Sequence, residues 1–161
     1  MIEPVATGDD LRAAMRRVPS AVAVATVTVE GRAAGLTVAS LVSLSLEPPL
    51  VGFAVRREAA LHELVRESRD VAISVLGDGQ EHLAQHFARG VPPIALWEGI
   101  PLRDESQPPQ LAGAAAWLRG AVETELPAGD HTFFVAAVHE AESGDPAARP
   151  LLLHGSSYAS L

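Results

Sequence analysis

Cysteine is absent from the chain, and with it go disulfides, thiolate metal sites and a cysteine nucleophile. Any redox chemistry must therefore be carried by a borrowed group, and a reducing, cytoplasmic setting is expected. Basic residues are scarce as well: 12 Lys and Arg against 20 Asp and Glu leave a formal net charge of -8. That field repels phosphate backbones, so nucleic acid is not an expected partner. Long apolar runs are missing too. None approaches the roughly 18 residues of a spanning helix, and the first ten residues lack the basic and apolar regions of a leader, so no membrane association is expected. Aromatic residues make up 4% of a chain that is 48% hydrophobic, so the core must be built from Val, Leu, Ala and Ile, and each large ring stands out. At 161 residues the chain suits one domain over 1–161, with no room for separate cofactor and substrate domains.

The stretch that organises the rest runs over 35–49, Gly-Leu-Thr-Val-Ala-Ser-Leu-Val-Ser-Leu-Ser-Leu-Glu-Pro-Pro. Gly35 permits a close backbone approach, Thr37 and Ser40 bring hydroxyls three residues apart, and the amides between them can converge on an anion without a lysine. Taken alone, the string is a weak signal, and residue type by itself favours a strand edge with small solvent-facing residues.

Upstream, 7–10 offers N-caps, and Leu11, Met15 and Val18 recur at helical spacing until Pro19. Residues 21–28 and 33–40 read as a β-hairpin about Glu30-Gly31. Over 42–46 the alternation of Val42, Leu44 and Leu46 with serines predicts a strand with one buried face, ended by Pro48-Pro49. Strands follow at 50–55 and 71–76, and short helices at 59–67 and 80–88. Residues 89–110 have no period and several prolines, and are expected to be a long functional loop or lid. A strand pair or one long bent strand is expected over 111–125, a turn at 127–130, a strand at 132–140, a turn-like segment at 141–149, a last strand at 151–153 and a tail at 155–158. About seven strands with a few short helices predict a mainly β chain, closed or nearly closed as an antiparallel barrel that leaves no long edge exposed.

Several motifs invite chemistry and fail on inspection. Gly77-x-Gly79-x-x-His82 opens a helix after a strand, but a histidine stands where a dinucleotide fingerprint needs Gly or Ala. His82 and His86 have metal-ligand spacing without further ligands nearby, so no metal site is expected. Gly155-Ser156-Ser157 lacks the nucleophile-elbow pattern. Gly129-Asp130-His131-Thr132 is stronger, because a glycine turn delivers an aspartate and a histidine to the mouth of a strand. Tyr158, the only tyrosine, could stack on a flat ligand or pin the tail; Trp97 and Trp117 read as packing residues, with Trp97 also a lid candidate.

Taken in order, Gly-Leu-Thr-Val-Ala-Ser at 35–40, Ser-Leu-Ser-Leu-Glu-Pro-Pro-Leu-Val at 43–51, Val-Ala-Ile-Ser-Val-Leu at 71–76, Gln-Glu-His-Leu-Ala-Gln-His-Phe-Ala at 80–88 and Gly-Asp-His-Thr at 129–132 resemble the short-chain flavin reductases of two-component monooxygenase systems. The likeness runs from about Val18 to Tyr158. It implies a split antiparallel β-barrel (the FMN-binding split barrel), a homodimer with flavin near the subunit interface, and transfer of hydride from C4 of NADH or NADPH to flavin N5. By the same resemblance, Thr37, Val38, Ala39 and Ser40 wrap the isoalloxazine edge and phosphate, with Ser43 nearby. Phe87 and Ala88 line the flavin site. His131 stands beside the nicotinamide, joined by Tyr158.

The chain departs from the family after the apolar strand. Where serine or threonine hydroxyls often help to hold the phosphate or ribityl chain, it has Arg56-Arg57-Glu58-Ala59-Ala60, and Arg57 is the expected charge-assisted phosphate donor. The choices between FMN and FAD and between NADH and NADPH stay open. The first expectation is a reductase that supplies reduced flavin to a separate oxygenase. A tight FMN-binding sensor or storage protein, or a flavin oxidoreductase acting on another small substrate, is the alternative.

Overall fold

A computed structural model describes residues 2–3, 5–89 and 94–161. Its elements are α1 (Gly8–Met15), β1 (Ser20–Ala21), β2 (Ala23–Val29), β3 (Arg32–Val38), β4 (Val42–Leu46), β5 (Pro49–Arg56), α2 (Ala60–Ser68), β6 (Asp70–Val75), α3 (Glu81–Ala88), β7 (Ala116–Ala128), β8 (His131–Ser143), β9 (Leu151–His154) and β10 (Ser157–Ser160). Seven strands form one antiparallel sheet in the order β3-β2-β6-β7-β8-β5-β4, and β1-β9-β10 form a second. The fold is mainly β, as the sequence predicts.

One side chain bridges the seam between the end of β3 and β5. The bend that follows β3 swings Ser40 against β5, where its hydroxyl accepts from Ala54 N at 2.8 Å and donates to Ala54 O at 3.3 Å. Ser40 thus takes up the free edge of β5 where β4 ends, which satisfies backbone groups that would otherwise be unpaired. Inside the barrel, Phe53 and Phe134 lie 5.7 Å apart between ring centres, and α2 plugs the interior with Leu61 and Val65.

β2 carries two cores. Ala23, Ala25 and Val27 face the barrel interior, while Val24, with Val22 just before the strand, belongs to an outer core with Leu83 and Phe87 of α3, Leu96, Leu111 and Leu151. This explains why 21–28 shows no alternation: with both faces buried, small and β-branched residues fill every position. Gly35 permits the outer layer to sit close. A Cβ there would lie 3.0 Å from two atoms of the Phe87 ring, so the close approach is to α3.

Five expectations change. Val42, Leu44 and Leu46, the expected buried face, are 43%, 46% and 86% exposed, because β4 is the outermost strand and none of the described residues covers it. Pro49, read as part of a stop, opens β5 opposite Leu46. The segment over 141–149 starts as strand, since β8 runs to Ser143 in pairing with Ala116, and the tail folds back as β10 on β9. The long bent strand starts only at Ala116, and its bend has a cause in bulges between Arg119 and Gly120 and between Val122 and Thr124.

The described part of the expected lid, 94–110, is pinned down. Trp97 Nε1 donates to Ala33 O at 2.9 Å, Thr26 Oγ1 to Pro109 O at 2.6 Å, and the buried Arg119 Nη1 to Pro108 O at 2.7 Å. Residues 90–93 of that stretch lie outside the described residues. No helix among the described residues is long and apolar enough to cross a membrane.

Candidate active site

At the end of the barrel where Ser40 meets β5, the chain forms a cleft of about 410 Å³. Leu36, Thr37, Val38, Ala39 and Ser40 make one wall, Ala54 and Arg56 of β5 the floor, and His131 of β8 the opposite rim. Strand pleating sets the floor. Phe53 and Val55 point into the core, so Ala54 and Arg56 point out, and the register sets His131 directly opposite Arg56. Four of the expected cofactor residues and the expected histidine are thereby brought together.

The hydroxyls of the wall are already engaged. Thr37 Oγ1 donates to Ala84 O at 2.7 Å, tying β3 to α3, and Ser40 is spent on Ala54. Neither keeps its hydrogen for an anion in the cleft. What the cleft offers a ligand is apolar surface from Leu36, Val38, Ala39 and Ala54, one guanidinium and one imidazole. That donor set fits a flat ring with an anionic tail: apolar walls for the ring and Arg56 for the charge.

His131 is held by its neighbour. Its Nδ1 lies 2.7 Å from Asp130 Oδ1, and since a carboxylate only accepts, Nδ1–H donates and the lone pair of the neutral ring sits on Nε2. The hydrogen bond from His131, the ring's charge when protonated and, to a smaller extent, Arg56 hold the Asp130 carboxyl below its ordinary range. Asp130 O in turn accepts from Arg57 N at 3.0 Å, which fastens the glycine turn to the end of β5.

The remaining expected site residues lie elsewhere. Arg57 points to the other face of β5 and lines a separate cleft of about 460 Å³ with His62, Glu63, Arg66, Glu125, Pro127 and Thr132. Phe87 is 1% exposed, its ring spent on packing beneath Gly35 and against Trp97. Ala88 is exposed at the end of α3, Ser43 is exposed on β4 opposite Val51, and Tyr158 is partly buried on the outer core, pinning β10. None of the five lines the cleft. His86 Nε2 donates to Leu96 O at 2.7 Å, which ties α3 to the segment after residue 93.

Arg56 is the residue that sequence reasoning missed. The signal was available, for alternation through Gly52 and Ala54 reaches Arg56 and passes over Arg57.

Comparison with known proteins bears on the same arrangement. The model of the flavin reductase like domain matches residues 15–161. An NADH:FMN oxidoreductase from Rhodococcus erythropolis is 37% identical over 152 residues, covering 92% of this chain and 79% of its own. The reductase component of 4-hydroxyphenylacetate 3-monooxygenase from Thermus thermophilus is 36% identical over 133 residues, covering 82% and 83%. Among solved structures, the NADH:FAD oxidoreductase of Streptomyces globisporus superposes with a TM-score of 0.89 at 34% identity, over 100% of this chain and 98% of its own. With its cleft placed as described and with these relatives across nearly its whole length, the chain belongs to the flavin reductase like family.

Proposed function

We propose that the protein is an NAD(P)H:flavin oxidoreductase that reduces FMN or FAD and releases it to a separate flavin-dependent oxygenase. The observation that carries this reading is the meeting of the 36–40 wall, Arg56 and His131 in one cleft. The names of the relatives agree with it, since they include NADH-dependent FMN and FAD reductases and reductase components of monooxygenases.

Flavin supplies a ring that accepts hydride at N5, so the protein's work is alignment and exclusion of water, with no nucleophile needed. The 36–40 wall and Ala54 hold the ring. Arg56 takes the phosphate, the role expected of Arg57, because Arg57 faces away. His131, fixed by Asp130, presents Nε2 to the nicotinamide and orients it. A cytoplasmic location, where reduced nicotinamide is available, goes with this reading.

A homodimer also belongs to the proposal. The outer side of β4 and the neighbouring hairpin leave Val42, Leu44, Leu46 and Leu126 exposed, and Ala54 continues this apolar surface into the cleft. A second copy seated there would cover the apolar strip and complete the ring site.

The test is loss of nicotinamide absorbance with NADH and NADPH, each with and without added FMN, FAD and riboflavin. Flavin-dependent turnover supports the reductase and settles both preferences; saturable flavin binding without turnover overturns it and favours a flavin-storage or sensor role.

A further inference from the structure

We infer that His62 is a positioning residue for His131, acting through Thr132 and the β7–β8 hairpin. The inference rests on the proposed role of His131 at the nicotinamide.

His131 and Thr132 are neighbours at the start of β8, so their side chains leave on opposite faces: His131 lines the cleft and Thr132 turns inward, 7% exposed. Thr132 is therefore the first inward anchor of the strand beyond the exposed Gly129 turn. His62 of α2, 6% exposed, meets it with Nε2 at 2.8 Å from Thr132 Oγ1. The other ring nitrogen, Nδ1, is 2.9 Å from Glu63 Oε1. The carboxylate must accept there, so Nδ1 carries the hydrogen and Nε2 accepts the Thr132 hydroxyl hydrogen.

The line continues past the histidine. Glu63 accepts from Arg66 Nη1 at 3.2 Å, and Arg66 Nε donates at 3.1 Å to Glu125, which pairs with Phe134 across β7 and β8. One helix thus grips both strands of the hairpin whose tip carries Asp130 and His131. The last ladder rungs, Arg56 with His131 and Ala128 with His131, sit at strand ends, where pairing opens most easily. A buried hydroxyl held by a buried imidazole keeps Thr132 inward and hence His131 outward. Hydride transfer is sensitive to such placement, since a shift of about 1 Å at the reacting centre can cost a hundredfold.

The experiment replaces Thr132 and reads His131 directly. In flavin-free protein, Thr132→Val is expected to move the His131 ring titration seen by NMR, while Thr132→Ser restores it. In turnover, Thr132→Val is expected to lower kcat about tenfold with the flavin Kd unchanged, and Thr132→Ser again to recover the rate. Should Thr132→Val not fold, Glu63→Gln, on the exposed side of His62, is expected to move the same titration by a smaller amount. An unchanged His131 titration in Thr132→Val, or in Glu63→Gln if that variant has to stand in, overturns the coupling, and so does a lowered Tm with kcat intact. His131→Ala separates the two readings: unchanged turnover there removes the role of His131 itself and the inference with it, whereas slowed turnover with an insensitive Thr132→Val removes the inference alone.

Discussion

Arg56 and His131 stand opposite each other as paired residues at the ends of β5 and β8, and both face the same cleft. The pairing puts a permanent cation beside an aspartate-held imidazole, with the apolar wall of 36–40 across from them.

Arg56→Ala should weaken FMN and FAD binding while leaving riboflavin almost untouched, because only the phosphorylated flavins carry the anion. Loss of one charge-assisted hydrogen bond, about 1.5–3 kcal/mol, corresponds to roughly a ten- to hundredfold rise in Kd. Arg57→Ala, on the other face of the strand, is the matched control. Fluorescence titration of each flavin decides; equal loss for riboflavin would assign Arg56 to ring contacts instead.

Ser40→Ala opens the join between the bend and β5. It leaves Ala54 N–H without its partner, and the expected loss of stability is about 1–3 kcal/mol, read from denaturant midpoints. Ser40→Thr keeps a hydroxyl and should recover part of it.

Asp130 gives stability a dependence on acid. Its carboxyl titrates below its ordinary 3.8 in the folded chain, so the unfolded chain takes up the proton first as pH falls. The stabilisation is complete above the ordinary value and is lost as pH drops through the folded one. Asp130→Asn should flatten that portion of the curve of unfolding midpoint against pH. The carboxylate is solvent-exposed, so the effect is small; a curve identical to wild type would show that the ion pair with His131 is screened out entirely.

Leu44→Asp or Leu46→Asp should shift the protein toward monomer in sedimentation and make turnover fall on dilution, if a second copy covers β4. Monomeric wild-type protein with full turnover at all concentrations would instead leave the strip for a different partner.

Much of this site could be read from the sequence, and the misses have physical causes. Local pattern drew attention to Gly35, Thr37, Ser40 and His131 through short strand-turn signals, and the family resemblance added Val38 and Ala39 and gave the stretch its expected role. The partners of their polar atoms were not readable. That Thr37 answers Ala84 and Ser40 answers Ala54 depends on how α3 and β5 pack, contacts far apart in sequence. Phe87 illustrates the same limit: a ring at the right place in a family motif is, in three dimensions, the residue that Gly35 makes room for. β4 failed for the opposite reason, since alternation reports a face that avoids water without saying whether this chain or another molecule provides the cover.

The double burial of β2 sets how the molecule comes apart. A strand that walls both the barrel interior and the outer core links them into one cooperative unit, so the layer of α3, Leu96 and Leu111 cannot melt away and leave a sound barrel behind. Amide hydrogens of Ala23 to Val27 are accordingly expected to exchange only when the whole chain unfolds. Damage to the outside layer, such as trimming Leu83 or Leu111, should then reach the candidate cleft as a loss of folded molecules, with the chemistry of those that remain unchanged.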